Sequence, residues 1–549
     1  MRLSPKWGWF AAFTAVFAVC AAFVFWGTWS TDMAPVMPDC PTSYPVHWFR
    51  EWLCGWLESG KFAPAEAMNW IGSPYIWTEF QYAFAAYMSA LGLAYFLLGR
   101  GLPRVAAYGA GLLLAFSGYW FTLFSAGHLG WFQWMTYGVF VFGLVDRALE
   151  KGRPRHWLLL GACLAWGSMR QPDLWLLFSA FSGVYFVFRL VVVLRGTARG
   201  ARRVALAKWA KGSAIALAAL LAIGGASFRS AFVNDLAGRD KQIEEGQTLG
   251  ANAAKDDAEK RWIFTTNWSM PPEATKEFWH AGVEGDTSCP YTLAIGQKRR
   301  SGIRPYTGRL GRPLGATQGN YRQHSLYVGI ATCILAFACV FWAIFKRFKA
   351  PAASTIFFFA ISAVVFWLFS MGRFCEPVYR IVYALPFGDY LRAPVKWHHL
   401  TEFCVCVLAG YGIWGWMQVE GKWASVRVKT IGAAVVVLLG VIELVGNDRL
   451  YCAPHRADAD MQFVDGRMLQ DPRGRAQLDQ MRARVIGFYQ NAALIEIPRE
   501  RPVASRPEGL PGPQATTLAL GILSLIGTLA ALSALAGGFW RHVHQNETI

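Results

Sequence analysis

Charge is scarce in this 549-residue sequence. Only 16% of its residues are Asp, Glu, Lys or Arg, against about a quarter in a soluble domain. That scarcity argues against an ordinary soluble enzyme. Low hydrophobicity is also missing, since 54% of residues are hydrophobic, and this excludes a disordered chain. There is no Cys-x-x-Cys and no His-Glu-x-x-His spacing, so no metal-binding motif is present. No internal repeat is visible. Acidic residues are the scarcer sign, 35 against 53 basic, for a net charge of +18. Taken alone, such an excess points to nucleic acid, so the positions of the basic residues decide its meaning.

Long apolar runs fill the space that charge leaves. A bilayer core of ~30 Å needs about 20 mostly apolar residues per helix. Twelve candidate stretches stand out: about 8–29, 79–98, 105–125, 130–145, 157–169, 173–194, 212–231, 326–345, 353–372, 400–417, 430–446 and 514–540. The fifth is short. None carries Asp, Glu, Lys or Arg near its middle. The first holds Phe23, Phe25, Trp26 and Trp29 and has no small-x-small site after a short core, so it reads as a retained helix rather than a signal peptide. The expected fold class is an all-α polytopic membrane protein of about twelve transmembrane helices, with small extracytoplasmic helical and loop segments.

Lys and Arg in short loops set orientation. With the N-terminus inside, the inside segments hold Arg2 and Lys6; Arg100 and Arg104; Arg147, Lys151, Arg153 and Arg155; Arg195, Arg199, Arg202, Arg203, Lys208 and Lys211; Lys346, Arg347 and Lys349; Lys422, Arg427 and Lys429; and Arg541. The short outside turns hold little: 126–130 has no basic residue and 168–172 only Arg170. Both termini are therefore expected in the cytoplasm, and nucleic acid is not needed to explain the +18.

The expected organisation is a transmembrane core over 1–446, with outer loops at 30–78, 232–325 and 373–399. A short extracytoplasmic segment follows over 447–513, and a last helix with a cytoplasmic tail over 514–549. In the first outer loop, Trp48, Trp52 and Trp56 recur at helical spacing, with His47, Arg50, Glu51 and Glu58 on much of the other side. This is the pattern of a helix lying in the membrane interface. Asp235–Arg261 has helical spacing, as does Met468–Tyr489. A tether with Pro498, Pro502, Pro507, Pro511 and Pro513 leads to the last span. Five of the eleven cysteines fall outside, Cys40, Cys54, Cys289, Cys375 and Cys452. An odd number leaves at least one unpaired within the chain.

Polar residues gather at the outer ends of spans. Asp32 and Asp39 follow the first span, and Glu79 opens the second. His128 lies between spans three and four. Arg170-Gln171-Pro172-Asp173 joins spans five and six. Arg373, Arg380 and Arg392-Ala393-Pro394-Val395-Lys396-Trp397-His398-His399 follow span nine. At that depth a carboxylate can act as general base on a hydroxyl, and Arg or Lys can hold a phosphate, Arg by two parallel hydrogen bonds. Each has a structural reading as well. Trp and Tyr are enriched at interfaces, basic residues snorkel to headgroups, and Asp173 suits a helix start.

Several short motifs run in a recognisable order. They are Asp39 with Tyr44-Pro45, then Gly60 to Pro64 and Asn69 to Tyr75; Phe116-Ser117-Gly118-Tyr119 through His128 to Trp134; and Asn267-Trp268-Ser269-Met270-Pro271-Pro272-Glu273. Met371-Gly372-Arg373 through Val378-Tyr379-Arg380, Leu391 to Lys396 and Leu408 to Gly412 follow. In these the chain resembles the YfhO-type bacterial membrane proteins, which look like GT-C class glycosyltransferases. Arg170-Gln171-Pro172-Asp173 departs from that family's Gly-His-Pro-Gln region, and the outer segment after span eleven is short.

The resemblance implies an enzyme of a bacterial cytoplasmic membrane that moves a sugar from a polyprenyl-phosphate carrier to an extracytoplasmic glycan or lipid acceptor. Asp39 would be the base, with Asp32 as alternative and Glu79 as a further acidic candidate. Arg392, Lys396 and Arg373 would hold the carrier phosphate. His128, Arg170, Gln171 and Asp173 would contact substrate. No metal ligands are assigned, and metal dependence is not readable. A transporter or flippase would place ionisable groups near the bilayer midplane, often in two related halves, and a scaffold would need no site at all. The topology is directly testable: a fluorescent protein fused after Ile549 should fluoresce and a periplasm-dependent phosphatase fused there should stay inactive. The reverse pattern would overturn the orientation.

Overall fold

The structure is a computed structural model, which describes residues 5–29, 33–34, 74–118, 129–169, 171–231, 236–244, 256–279, 326–345, 348–418, 432, 495–496, 519–520 and 522–533. Among these, helix dominates, and the one strand pair is Met33–Ala34 (β1) with Ile495–Glu496 (β2), two residues each and antiparallel. The helices are α1 (Pro5–Trp29), α2 (Pro74–Gly99), α3 (Arg104–Ala115), α4 (Leu129–Lys151), α5 (Pro154–Ser168), α6 (Pro172–Gly196) and α7 (Arg202–Ser230). They continue with α8 (Leu236–Glu244), α9 (Asp257–Thr266), α10 (Ile330–Ile344), α11 (Ala350–Ser370), α12 (Glu376–Tyr383), α13 (His398–Met417) and α14 (Ile522–Ser533). The segment expected as one helical stretch, Asp235–Arg261, holds α8 and the start of α9. The Trp48–Trp56 and Met468–Tyr489 helices and the Pro-rich tether lie outside the described residues.

Five described helices are long and apolar enough to cross a membrane: Tyr82–Gly99, Asp173–Gly196, Arg199–Ser230, Ala352–Ser370 and Pro394–Met417. Shorter apolar helices cover Trp7–Ala22, Arg104–Ala115, Ile330–Ile344 and Ile522–Ser533. Their outward faces are greasy. Val184, Val187 and Val191 of α6, Leu217 and Leu221 of α7, Ile334, Phe337 and Phe341 of α10, and Ile361 and Val364 of α11 are all exposed. Repetition at three- and four-residue spacing makes apolar stripes, which suit lipid and are costly in water.

The chain divides into two compact units. One is formed by 1–43, 103–129 and 239–498, the other by 44–102, 130–238 and 499–549. In the first unit α13 is the central helix, with almost every residue from His398 to Gly412 buried. It packs on α10, α11 and α3. Gly412 lets α13 approach the backbone of α10 closely, since a Cβ there would strike the Leu335 carbonyl. Phe403 meets Phe359 of α11 at 6.1 Å between ring centroids. Helix α1 reaches α3 through Phe13 stacked on Tyr108 at 4.8 Å.

In the second unit, small residues again set the closest contact, as lipid-embedded helices require. Gly161 of α5 faces the Ala216 carbonyl of α7, and Gly212 of α7 faces the Trp157 ring of α5. Ser227 donates across the same pair to the Ser168 carbonyl at 2.6 Å. Trp166 donates to Thr528 of α14 at 3.1 Å.

The polar centre of this unit is a buried ion network. Asp146 of α4 is 1% exposed and Arg189 of α6 is 4% exposed. The Arg189 Nε donates to Asp146, and its Nη2 to Glu150 at 2.8 Å. Tyr185 donates to both Asp146 oxygens, at 2.9 and 3.0 Å. Arg100, just past α2, lies 3.7 Å from Asp146 and 3.9 Å from Glu150. Two cations and two carboxylates thus cancel, and three helix ends are joined. Glu150 is the outlying member, 43% exposed, whereas removing Asp146 or Arg189 leaves its buried partner without its main counter-charge, which costs about 3–5 kcal/mol. Asp146→Ala should therefore lower the melting temperature in detergent steeply, whereas Tyr185→Phe, which removes one donor to a carboxylate that keeps its cations, costs less, about 1.5–3 kcal/mol. Equal melting of the two variants would overturn this assignment.

Candidate functional site

The candidate site belongs to the first unit and begins where α9 stops. After Thr266 the chain leaves the helix, and Trp268 takes a left-handed conformation at φ 57°. Such a conformation is strained for a non-glycine residue and persists only where neighbours hold it. Three segments do so. Ser269 donates to the Thr266 carbonyl at 2.6 Å and accepts from the Arg373 backbone N–H at 3.0 Å. The Met270 N–H reaches the Ser370 carbonyl at 2.9 Å, and the Val395 N–H reaches the Trp268 carbonyl at 3.2 Å. Residues 267–270, 370–373 and 392–396 are thereby bound to one another.

Two further residues near this junction are left-handed, Gly372 at φ 51° and Ala393 at φ 66°. A Cβ on Gly372 would collide with Ser269 Oγ and with Pro394, so glycine answers two demands there, backbone and space. Beneath lies a core of Met270, Ala274, Phe278, Leu326, Val328, Met371, Ala393 and Val395. Trp397 anchors the following turn against Phe366 and Phe369, at centroid distances of 5.6 and 5.1 Å.

The three cations expected to bind phosphate lie on these bonded segments. The Arg392 guanidinium lies over the Trp268 ring at 4.9 Å and the Phe264 ring at 5.5 Å. Arg373 is partly buried, and burial lowers its pKa from the usual arginine value. It remains a cation all the same. Lys396, two residues after Pro394, is buried. Stacking covers the face of a guanidinium and directs anion binding to its N–H edge.

An outer tier fixes the chain leading into Arg392. Arg261 pairs with Asp240 at 2.9 Å and with Asp389 at 3.4 Å. Tyr390 donates to Asp240 at 3.0 Å, Thr265 donates to the Asp389 carbonyl at 2.7 Å, and Arg239 donates to the Tyr390 carbonyl. Tyr379 donates to the Leu391 carbonyl at 3.3 Å, and burial raises the pKa of its hydroxyl. The Arg380 guanidinium covers Trp262 at 4.2 Å and pairs with Glu376 at 2.8 Å.

One group here escaped sequence reasoning. Glu402, in the second turn of α13, is fully buried. Ser117, past the end of α3, donates to its Oε1 and contacts the Tyr327 carbonyl at 3.2 Å. His399 Nδ1 lies 3.7 Å from Glu402 Oε2. His398 Nε2 donates to the Leu326 carbonyl at 3.0 Å, and its ring lies 4.5 Å from that of Phe278. Glu277 accepts from the Leu326 N–H at 3.2 Å. The signal was present as His399 and Glu402 three residues apart at the edge of an apolar run. That spacing puts both on one helix face.

The remaining sequence candidates are placed separately. Asp32, Asp39, His128 and Arg170 lie outside the described residues, as do Cys40, Cys54, Cys289 and Cys452. Cys375 is a free thiol. Glu79 belongs to the first turns of α2. In the second unit, Gln171 is the N-cap residue of α6 and Asp173 is a buried acid in its first turn, where the helix dipole favours a carboxylate. Among the described residues, no three of His, Cys, Asp or Glu gather as metal ligands. Comparison with protein-family models, with curated proteins and with solved structures returned no match.

The junction makes a sharp prediction. Gly372→Ala adds a steric clash to an unfavourable backbone angle, and should destabilise the protein by roughly 2–4 kcal/mol. Gly99→Ala, where a Cβ meets nothing within 4 Å, should change stability by less than about 0.5 kcal/mol. Thermal melting of both variants checks this, and similar melting would refute the packing described.

Proposed function

We propose that this chain is a membrane glycosyltransferase that moves a sugar from a polyprenyl-phosphate carrier to an extracytoplasmic glycan or lipid acceptor. The observation that carries the reading is that the backbone segments bearing Arg373, Arg392 and Lys396 are hydrogen-bonded to the strained Trp268–Met270 turn, with the Arg392 guanidinium over the Trp268 ring. The proposal includes a YfhO-type, GT-C-like architecture of about twelve spans in a bacterial cytoplasmic membrane, with both termini inside. By the Lys and Arg distribution, the cation junction faces outward.

In this reading the carrier phosphate is the leaving group. Cations aimed at it stabilise the charge that develops as the glycosidic bond breaks. The aromatic rings around Arg392 keep its guanidinium in one orientation, so little reorganisation is needed during the reaction. Asp39, or Asp32 in its place, removes the proton of the acceptor hydroxyl, and a positioned base of this kind contributes about 10²–10⁴ in rate. Glu79, His128, Arg170, Gln171 and Asp173 are assigned to substrate contact.

Glu402 favours a second reading, movement of a lipid-linked sugar without chemistry, because ionisable groups inside spans often mark transport pathways. The two readings separate in one assay. Purified protein is given a labelled polyprenyl-phosphate sugar, and release of the sugar is followed. Wild type should turn over, Arg392→Ala should lose at least about 100-fold, and Asp39→Asn a similar factor or more. Turnover unaffected by Asp39→Asn would remove it as base. Carrier crossing the bilayer intact, with no sugar released by wild type, would sink the transferase reading.

A further inference from the structure

We infer that the basic surface at one end of the second unit is a binding site for anionic phospholipid headgroups. It stands apart from the catalytic proposal, being built from other residues. Two segments form it. Residues 195–211 carry Arg195, Arg199, Arg202, Arg203, Lys208 and Lys211 and no acidic residue. Residues 147–155 carry Arg147, Lys151, Arg153 and Arg155, with Glu150 as the one acid, and Glu150 is engaged by Arg189 at 2.8 Å.

Orientation in a membrane requires these charges to share a side. It does not require them to share a surface, yet here they do. Trp209, buried at the start of α7, donates to the Leu149 carbonyl of α4 at 2.9 Å. The Lys208 side chain lies against Gly152, in the turn between α4 and α5. Arg202 Nε donates to the Thr197 carbonyl at 3.2 Å, tightening the turn between α6 and α7. The two basic segments are thus held together by folded contacts.

A second observation points to lipid rather than to a soluble anion. Exposed apolar side chains alternate with the basic ones: Val204 is 71% and Leu206 44% exposed, beside Arg203 and Lys208. Farther along the same helix, Leu217 and Leu221 are exposed as well. Basic heads above an apolar flank match a headgroup above its acyl chains. Ten basic residues against one acid on these two segments make the field at this end positive. Burial, followed by the charges of Arg155, Arg147, Lys151 and Arg153, holds His156 down to about 4 from 6.5. Phosphodiesters with net negative charge gain from that field, whereas zwitterionic headgroups largely do not.

Native mass spectrometry of the full chain tests this, in mixed micelles of phosphatidylethanolamine, phosphatidylglycerol and cardiolipin. Wild type should retain the anionic lipids with about tenfold enrichment, and roughly 1 M salt should abolish most of it. The variant R203Q/K208Q/K211Q should fall below about twofold enrichment while a C-terminal reporter shows unchanged topology. If that variant misfolds, the salt titration of wild type decides. Retention of lipids in the proportions offered, enrichment that survives both salt and substitution, or bound RNA without lipid preference would each overturn the proposal.

Discussion

Hydrocarbon offers no partner for a charge, so any ionisable group carried into a span must bring its own. Both units are organised around that requirement. In the second, Arg189 sits inside α6 and is matched by Asp146 and Glu150 from α4, with Arg100 and Tyr185 completing the set. In the first, Glu402 enters with α13 and is met by Ser117 beyond α3. Each arrangement fixes the register of neighbouring helices more narrowly than apolar packing does. Apolar side chains slide against each other at small cost, while a buried ion pair has one good geometry.

The cation junction uses a different means of precision. Three left-handed residues, Trp268, Gly372 and Ala393, lie in segments that hydrogen-bond to one another. Gly372 takes that backbone freely, but Trp268 and Ala393 would not do so in isolation at low cost, so they depend on the bonded segments around them. What this mutual support delivers is the placement of the Trp268 ring beneath Arg392. A flexible loop could bring an arginine near a phosphate equally well, but would lose more entropy in holding it. Strain concentrated at one turn thus goes with a guanidinium held in one place by its surroundings.

The sequence made part of this legible. Apolar runs located α2, α6, α7, α11 and α13, because a bilayer demands a length and composition that few other structures need. Arg373, Arg392 and Lys396 stood out as basic residues at the outer ends of spans. Their shared dependence on Trp268–Met270 could not be read, since the bond from Val395 to Trp268 joins residues far apart in the chain. Asp146 escaped notice because it lies just beyond an apolar run, and Arg189 because it is one cation in a long one. Periodicity reports which residues are apolar, not which polar residues have been paired.

Depth decides how Glu402 should be weighed. It is the fifth residue of α13, so at 1.5 Å per residue it lies about 6 Å from the helix start. The turn that opens this helix is Pro394–Trp397, which contains Lys396 and follows Arg392. Glu402 is therefore little more than one helical turn from the segment that carries the cation junction. A transport carboxylate works best where both sides of the membrane can reach it in turn, near the midplane. A carboxylate close beneath a cation cluster, bonded to Ser117 and beside His399, instead ties the base of the junction to α3. The burial that first suggests transport is thus accounted for by the contacts that tie this polar segment to α3.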